Sequence, residues 1–452
     1  MVKSSVKRDA WLLRRVSSSQ MVAITFLGLI LLGTLLLMLP IASNNGQGLG
    51  FVDALFTATS ASCVTGLIVV DTGTYFTWFG KLVLIVLIQI GGLGIMTLTT
   101  LLTVIIGKKV SLQERLYLQE SFNQPDVGGV VRLSLNIIKY ALLIEFAIGT
   151  LLAFGFYDSL GLEGIAFGYW HAVSAFCNAG FDLLGDYNSL TNYTDNFIIN
   201  FSIMLLIVVG GLGFFVLDDI KRSRSWRNFS LHTKIVLSTT FWLVVVGTVL
   251  LWLLEADNQA TLAAMGLGEG VMAAAFQSIT ARTAGFNSLN LAAMHESSLF
   301  VLIILMFIGA SPGSTGGGIK TTTFVILLLF TWGLLRGKHD VVIFGRRVEA
   351  DTVNKAYIVV SLCIMWVLLA FLALLILDGG RHPFSFVLFE VVSAFATVGL
   401  GIGITHEWDA LAKLILIFTM FIGRVGILTF VLSFLQRGND KIKYPSEHIN
   451  IG

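Results

Sequence analysis

SAFCNAGFDLLGDY occupies residues 174–187, and its opening returns as SAFATVGLGIG from Ser393, in a chain that is otherwise mostly apolar. Aligned on their last glycine, four such phrases stand in order: SASCVTG (60–66), SAFCNAG (174–180), ITARTAG (279–285) and SAFATVG (393–399). Gly66, Gly180, Gly285 and Gly399 are 114, 105 and 114 residues apart, so the chain is four units of about equal length. Each unit reads as a long apolar span, a short apolar stretch ending in the phrase, a polar stretch, and a second long span. The short stretches, Asp53 to Ser62, Ile165 to Phe176, Gly270 to Thr280 and Phe384 to Phe395, are 10 to 12 residues long. A helix needs about 20 residues to cross a bilayer, so these are expected to be re-entrant half-helices. The irregular backbone after each half-helix must face protein or a water-filled cavity, since lipid satisfies no N–H or C=O. That places the four glycine phrases around a common pore.

Composition fixes the medium. Of 452 residues 56% are hydrophobic and 12% charged, with a mean hydropathy of +0.85, more apolar surface than a soluble core can hide. Runs such as Met21 to Leu39, Ile235 to Leu254 and Tyr357 to Leu377 have transmembrane length. The first is followed by Pro40 and lacks a small-residue cleavage site, so it reads as a retained helix rather than a signal peptide. Three cysteines, Cys63, Cys177 and Cys363, make no disulfide framework. The expected fold is an all-α integral membrane protein: four pseudo-repeated units of span, pore helix and span around a central pore, with eight transmembrane helices and four re-entrant helices. The units run 21–107, 136–217, 233–335 and 356–435, between cytoplasmic ends at 1–20 and 436–452.

Basic residues give the orientation. The N-terminus holds Lys3, Lys7, Arg8, Arg14 and Arg15; the segments between units hold Lys108, Lys109, Arg115, Arg132 and Lys139, then Lys221, Arg222, Arg224, Arg227 and Lys234, then Arg336, Lys338, Arg346, Arg347 and Lys355; the C-terminus holds Arg437, Lys441 and Lys443. These are 23 of the 29 Lys and Arg, and by the positive-inside rule both termini and the inter-unit segments are cytoplasmic. The half-helices then dip from the outer face. The outer segment from Tyr157 to Asn196 carries Asp158, Glu163, Asp182, Asp186 and Asp195 without Lys or Arg, and an acidic mouth concentrates cations.

The second spans repeat a phrase of their own: IGGLG from Ile90, VGGLG from Val209, IGASPG from Ile308 and IGRVG from Ile422. Gly91 and Gly210 read as small residues that let membrane helices pack closely. The third copy differs, because GASPGSTGGGIKTTT (309–323) lies inside an apolar run of 37 residues, Leu299 to Leu335. Pro312 removes a backbone donor and the glycines disfavour helix, so the span is expected to break there and to hang in the pore below the phrases as an obstruction. GSTGGGIKT only approximates a phosphate-binding GxxxxGK[ST] loop. Ile319 separates Gly318 from Lys320, and membrane sequence stands where a strand should precede it. The seven histidines (171, 232, 295, 339, 382, 406, 448) form no paired metal spacing, His171 reads as a packing residue, and an enzyme is excluded. Arg282 stands where the other units have Cys63, Cys177 and Ala396, so it is expected to brace its phrase from behind against an acid such as Glu390. Arg424 reads either as a fixed charge on the cation path that holds the broken loop or as an interhelical pair.

Span, half-helix, glycine phrase and span, four times about an axis, is an arrangement able to exchange a cation's water for main-chain carbonyls. These phrases, the glycine-bearing second spans and the interrupted third unit resemble the Trk/Ktr/HKT superfamily of cation transporters, most closely the KtrB-type membrane subunits of bacterial potassium uptake systems. The resemblance covers nearly the whole chain. It implies potassium uptake, driven by membrane potential, through a selectivity filter lined by the carbonyls of Val64, Thr65 and Gly66; Asn178, Ala179 and Gly180; Thr283, Ala284 and Gly285; and Thr397, Val398 and Gly399. Gly66 matters for ion choice, because a serine at the first filter glycine accompanies sodium preference in the plant branch. The implied gate is the loop Gly309, Ala310, Ser311, Pro312, Gly313, Ser314, Thr315, Gly316, Gly317, Gly318 and Lys320, together with Arg424. A homodimer in the cell membrane and a separate cytoplasmic nucleotide-binding ring of the RCK type are implied as assembly. The chain itself is expected to hold no cofactor and to bind no nucleic acid. Sodium remains an alternative, as transported, coupling or activating ion.

Overall fold

The computed structural model describes residues 18–107, 110–121, 128–338 and 340–434. The basic residues expected at both termini, together with Lys108, Lys109, His339 and His448, lie outside them. Four apolar helices form the first spans: Ser18–Leu37, Val130–Leu160, Leu231–Leu254 and Ala350–Asp378. Their exposed residues are large and apolar, among them Leu35, Phe146, Trp242 and Leu368, the composition of a surface that faces hydrocarbon. Four shorter helices end in the glycine phrases: Phe51–Ser62, Leu162–Phe176, Leu267–Thr280 and Phe384–Ala396. Their inner ends are buried throughout. Units A to D are numbered in this order, and the protein is a multi-pass membrane protein of repeated span, half-helix and span.

Each half-helix packs against its own first span and against the second span of the unit before it: B against A, C against B, D against C, and A against D. The ring therefore closes although the chain is open. Lys413, on unit D's second span, marks the closure with an ion pair to Asp53 at the start of unit A's half-helix, 2.8 Å.

The second span of unit C breaks where its sequence predicts, but those of units A, B and D depart from expectation. None of the four is a continuous helix. Trp78–Leu93 is followed by Ile95–Ile105, Phe197–Leu212 by Phe214–Ser223, and Ala410–Val425 by Ile427–Phe434. The bends in units A and B are 98° and 92°. The joints are Gly94, Gly213 and Gly426, with φ of +85°, +94° and +90°, which other residues adopt only under strain. The preceding glycines serve close packing as expected: a side chain on Gly91, Gly210 or Gly423 would strike the carbonyl of Ser62, Phe176 or Phe395. In units A, B and D one glycine of the repeated phrase thus admits the unit's own half-helix, and a later one turns the chain. In unit C, Glu296–Phe307 and Thr321–Leu335 are separated by a whole loop, pinched at its neck by the parallel bridge Ile308 to Ile319.

Candidate functional site

The four phrases meet at one place. In each, the residue two before the glycine has a left-handed backbone: φ is +58° at Val64, +58° at Asn178, +67° at Thr283 and +50° at Thr397. Three of these are β-branched, for which this region is strained by about 1–3 kcal/mol each. Strain repeated at one register in four units is imposed by the fold, and its effect is to alternate the hand of the chain over three residues. The glycines that follow again have positive φ, +98°, +69°, +81° and +88°.

Their mutual approach defines the ring. A Cβ built on Gly66 would lie 2.5 Å from the Ala179 carbonyl oxygen; on Gly180, 2.7 Å from that of Ala284; on Gly285, 2.6 Å from that of Val398. On Gly399 it would strike the Thr65 oxygen. Each glycine faces the carbonyl preceding the next unit's glycine, and the fourth returns to the first. All twelve sequence-designated residues from Val64 to Gly399 therefore come together about one axis. Side chains hold the turns from behind: Gly66 N donates to Ser60 Oγ and Gly399 N to Ser393 Oγ, both 3.1 Å, while Ser174 and Thr280 hydroxyls donate to the carbonyls of Phe181 and Phe286 at 2.7 and 2.6 Å.

A second set of supports escaped sequence reasoning. His171 Nε2 accepts from Leu183 N at 3.4 Å, and Glu390 Oε1 accepts from Ile402 N at 3.0 Å. Both bonds join the half-helix to the third residue beyond the ring glycine. Gln277, with its amide oxygen turned toward them, accepts from Ser288 N and Leu289 N at 3.2 Å. His171 is thus more than a packing residue. The available signal was register: His171 and Glu390 both stand nine residues before their glycine, on helices otherwise poor in such groups. Glu390 also accepts from Thr405 Oγ1 at 2.9 Å and does not meet Arg282, which corrects the pairing expected from sequence. Glu390 lies two turns up its half-helix, level with the outer loop, whereas Arg282 follows the inner end of its own. Among the described residues Arg282 makes no ion pair, and its Nε and Nη2 are buried without a partner.

Above the ring, on the side from which the half-helices descend, is a cavity of about 170 Å³ lined by the four glycines and by Asp71 and Asp182. Of the five acids expected at the mouth only Asp182 lines it. Asp71, from unit A, supplies the second carboxylate and ties the mouth together by accepting from Thr74 N and Tyr187 N, each 2.8 Å.

Below the ring lies the broken third span. Gly316 abuts Thr283, where an added Cβ would come within 3.0 Å of the threonine Cβ, and Gly317 abuts Ala396 and Thr397. The loop is bonded on every side. Thr315 N donates to Gly210 O at 3.4 Å, Ser311 N to Gly211 O at 3.1 Å, and Phe214 N to Gly313 O at 2.9 Å, which joins the loop to the bend in unit B. Ser314 Oγ donates to Ser311 O, and Lys320 Nζ folds back onto Gly316 O at 2.7 Å. Arg424 comes from unit D and donates to Thr315 O in the loop and to Gly91 O and Gly92 O in unit A. Its guanidinium therefore clasps the loop between two other units, so Arg424 is both a fixed charge beneath the ring and an interhelical tie.

A family model described as cation transport protein, TrkH, matches residues 3–444. The Ktr system potassium uptake protein B of Bacillus subtilis (strain 168) is 42% identical over 439 residues, 97% of either chain. The potassium/sodium uptake protein NtpJ of Enterococcus hirae is 39% identical over 447 residues, 97% of this chain and 98% of that one. The crystal structure of the potassium transporter TrkH from Vibrio parahaemolyticus superposes with a TM-score of 0.71 at 18% identity, over 91% of this chain and 85% of the other, a likeness of fold. Four repeated units closing on one ring, and a family match spanning nearly the whole sequence, answer the question of class: the chain belongs to the TrkH family of cation transport proteins and is not an enzyme.

Proposed function

We propose that the chain takes up potassium across the cell membrane, passing the dehydrated ion through the carbonyls of Val64–Gly66, Asn178–Gly180, Thr283–Gly285 and Thr397–Gly399. The observation that carries the reading is the closed succession of glycine against carbonyl around one axis. A cation shedding water there meets oxygens from four sides, with no acidic side chain in the ring and two carboxylates, Asp71 and Asp182, in the mouth to raise its local concentration. The half-helices add their negative C-terminal dipole ends, aimed at the same point. Membrane potential drives influx, at about 2.3 kcal/mol per charge per 100 mV.

The gate is the loop 309–320 with Arg424. It abuts the inner residues of two phrases, and conduction requires it to move. Potassium is favoured over sodium by the names of the relatives and by Gly66 in the first phrase. A sodium-transporting or sodium-coupled reading, supported by the name of the Enterococcus relative, is not adopted. Both termini are cytoplasmic by the distribution of basic residues, the four units follow the order given from sequence with unit B widened to the helices Val130–Leu160 and Phe214–Ser223 and unit D to the helix Ala350–Asp378, and the assembly is a homodimer regulated by a separate cytoplasmic nucleotide-binding ring. In support of a partner, the Bacillus relative is named as one component of a system.

The test is isotope flux in proteoliposomes with a potassium-diffusion potential and one cation varied at a time. Gly66→Ser and Gly285→Ser should each lower the potassium-to-sodium flux ratio. Ratios identical to the parent protein would remove the four phrases from the ion path.

A further inference from the structure

One polar chain buried at the seam between units A and B is not used by the transport reading. Glu145 stands midway along the first span Val130–Leu160 and is 5% exposed. Gln89 Nε2 donates to its two carboxylate oxygens at 3.1 and 3.2 Å. Gln89 Oε1 in turn accepts from Cys177 Sγ at 3.4 Å. Among the described residues no Lys, Arg or His pairs with Glu145.

The chain exists at one seam of four. Glu145 lies 35 residues before its ring glycine, where the other units have Leu31, Leu250 and Ile364. Gln89 lies two before the first packing glycine, where they have Val208, Phe307 and Phe421. A carboxylate and a carboxamide at membrane mid-depth are costly, and three units show that the architecture closes without them. Interhelical adhesion alone would be served by any such pair. This one is distinguished by where it ends. Cys177 caps the unit B half-helix and immediately precedes Asn178, the residue whose left-handed backbone starts the turn into the ring. Its sulfur is lodged against Gly92, where a Cβ would lie 2.6 Å away. The carbonyls of Gly91 and Gly92 are those that hold Arg424.

We propose that Glu145, Gln89 and Cys177 are positioning residues that lock the unit B segment of the ring to unit A's second span and thereby sharpen discrimination against the smaller alkali cation. The proposal rests on reading the four phrases as the ion filter. A smaller ion is held well only if carbonyls draw inward, and a segment fixed from behind resists that movement. The carboxylate orients the carboxamide through two bonds, and the carboxamide fixes the thiol that anchors the turn.

The experiment is potassium and sodium flux by the full chain in liposomes, each variant first shown to be monodisperse. Gln89→Leu, Glu145→Leu and Cys177→Ala each cut the chain. Cys177→Ala removes one buried hydrogen bond and should lower the potassium-to-sodium ratio by about fivefold, while Glu145→Leu, which removes two, and Gln89→Leu, which removes all three, should lower it at least as far. Cys177→Ser keeps a donor and should retain the ratio. The double variant Gln89→Glu with Glu145→Gln exchanges donor and acceptors, still accepts from Cys177, and should restore what either cut loses. If the three cuts leave the ratio at the parent value while Gly66→Ser changes it, the positioning role is overturned and the filter reading stands. If Gly66→Ser also changes nothing, the filter reading falls and takes the proposal with it. A double variant as poor as the cuts would show that a carboxylate at position 145 matters by itself, which also overturns the relay.

Discussion

The outer and inner halves of the second spans and phrases treat the same fourfold repeat in opposite ways. At the ring, four phrases of different sequence adopt one backbone, with left-handed φ between +50° and +67° at Val64, Asn178, Thr283 and Thr397. Beneath it the units diverge: three turn at a single glycine, one opens into the loop 309–320, and unit D alone contributes Arg424. Equivalence is needed where a centred cation is to meet the same oxygen from every side. An obstruction needs only one arm, and a clasp for that arm is most effective from another unit.

The comparison is broken most severely at the ring. Gly399→Ala adds to positive φ a side chain on the Thr65 carbonyl, and potassium flux should fall on the order of a hundredfold, the factor that about 3 kcal/mol commands. Gly380, also at positive φ but with open space around it, is the matched control. Gly380→Ala should cost about 1 kcal/mol in stability and leave flux intact. Equal losses of flux at the two positions would mean that backbone strain, not occupation of the axis, explains the first.

On the inner side the expected change has the other sign. Arg424→Ala removes charge-assisted bonds to Thr315, Gly91 and Gly92, and basal potassium flux should rise about tenfold as the loop is freed. Arg424→Lys keeps the charge without the planar fork and should fall between the two. If lysine matched arginine, fixed charge alone would account for the effect and the clasp would not. Deleting Ser311 to Gly318 should raise flux at least as far; unchanged flux in a folded protein would remove the loop from the path.

This difference also explains what the sequence discloses. Periodic spacing of Gly66, Gly180, Gly285 and Gly399 exposed the repeat, and hydrophobic length separated spans from half-helices, because both are properties of local composition. The bends at Gly94, Gly213 and Gly426 were in view as the last glycine of each second phrase. As bends they stay hidden in the sequence because an apolar run on both sides of a glycine has the same composition whether the helix continues or turns. Charge alone pairs Glu390 with Arg282, but depth along the half-helix decides its partners, and depth shows only when the inner and outer ends are placed. Asp71 reached the mouth from unit A, which no acidic run announced.

Among the supports, the comparison becomes one between unit D and unit A. Glu390→Leu leaves Ile402 N and the Thr405 hydroxyl without their acceptor and should lower unfolding stability in detergent by about 1–3 kcal/mol, while Glu390→Gln keeps an acceptor and should cost less. Thr57 occupies the same register in unit A but donates to Asp53 O within its own helix. Thr57→Val should therefore change stability by less than about 1 kcal/mol. A large effect at Thr57 would mean that the outer loops are held by something other than this register.

The smallest effect is expected at the outer rim of unit D, where His382 bonds Asp378 at 2.5 Å and Glu407 at 3.2 Å. Burial alone would lower the imidazole, but the bonds to the two carboxylates outweigh it and hold its pKa above the ordinary value of 6.5. A folded pKa above the unfolded one stabilises the protein fully below about pH 6.5, and the contribution disappears as pH rises through the folded value. The unfolding temperature should therefore decline slightly between about pH 6 and pH 9, and His382→Gln should flatten that slope. Because His382 anchors the loop that Glu390 holds from within, a slope unchanged by the substitution would place the rim outside the set of contacts that keep unit D's segment in register, leaving Glu390 as its support from the half-helix.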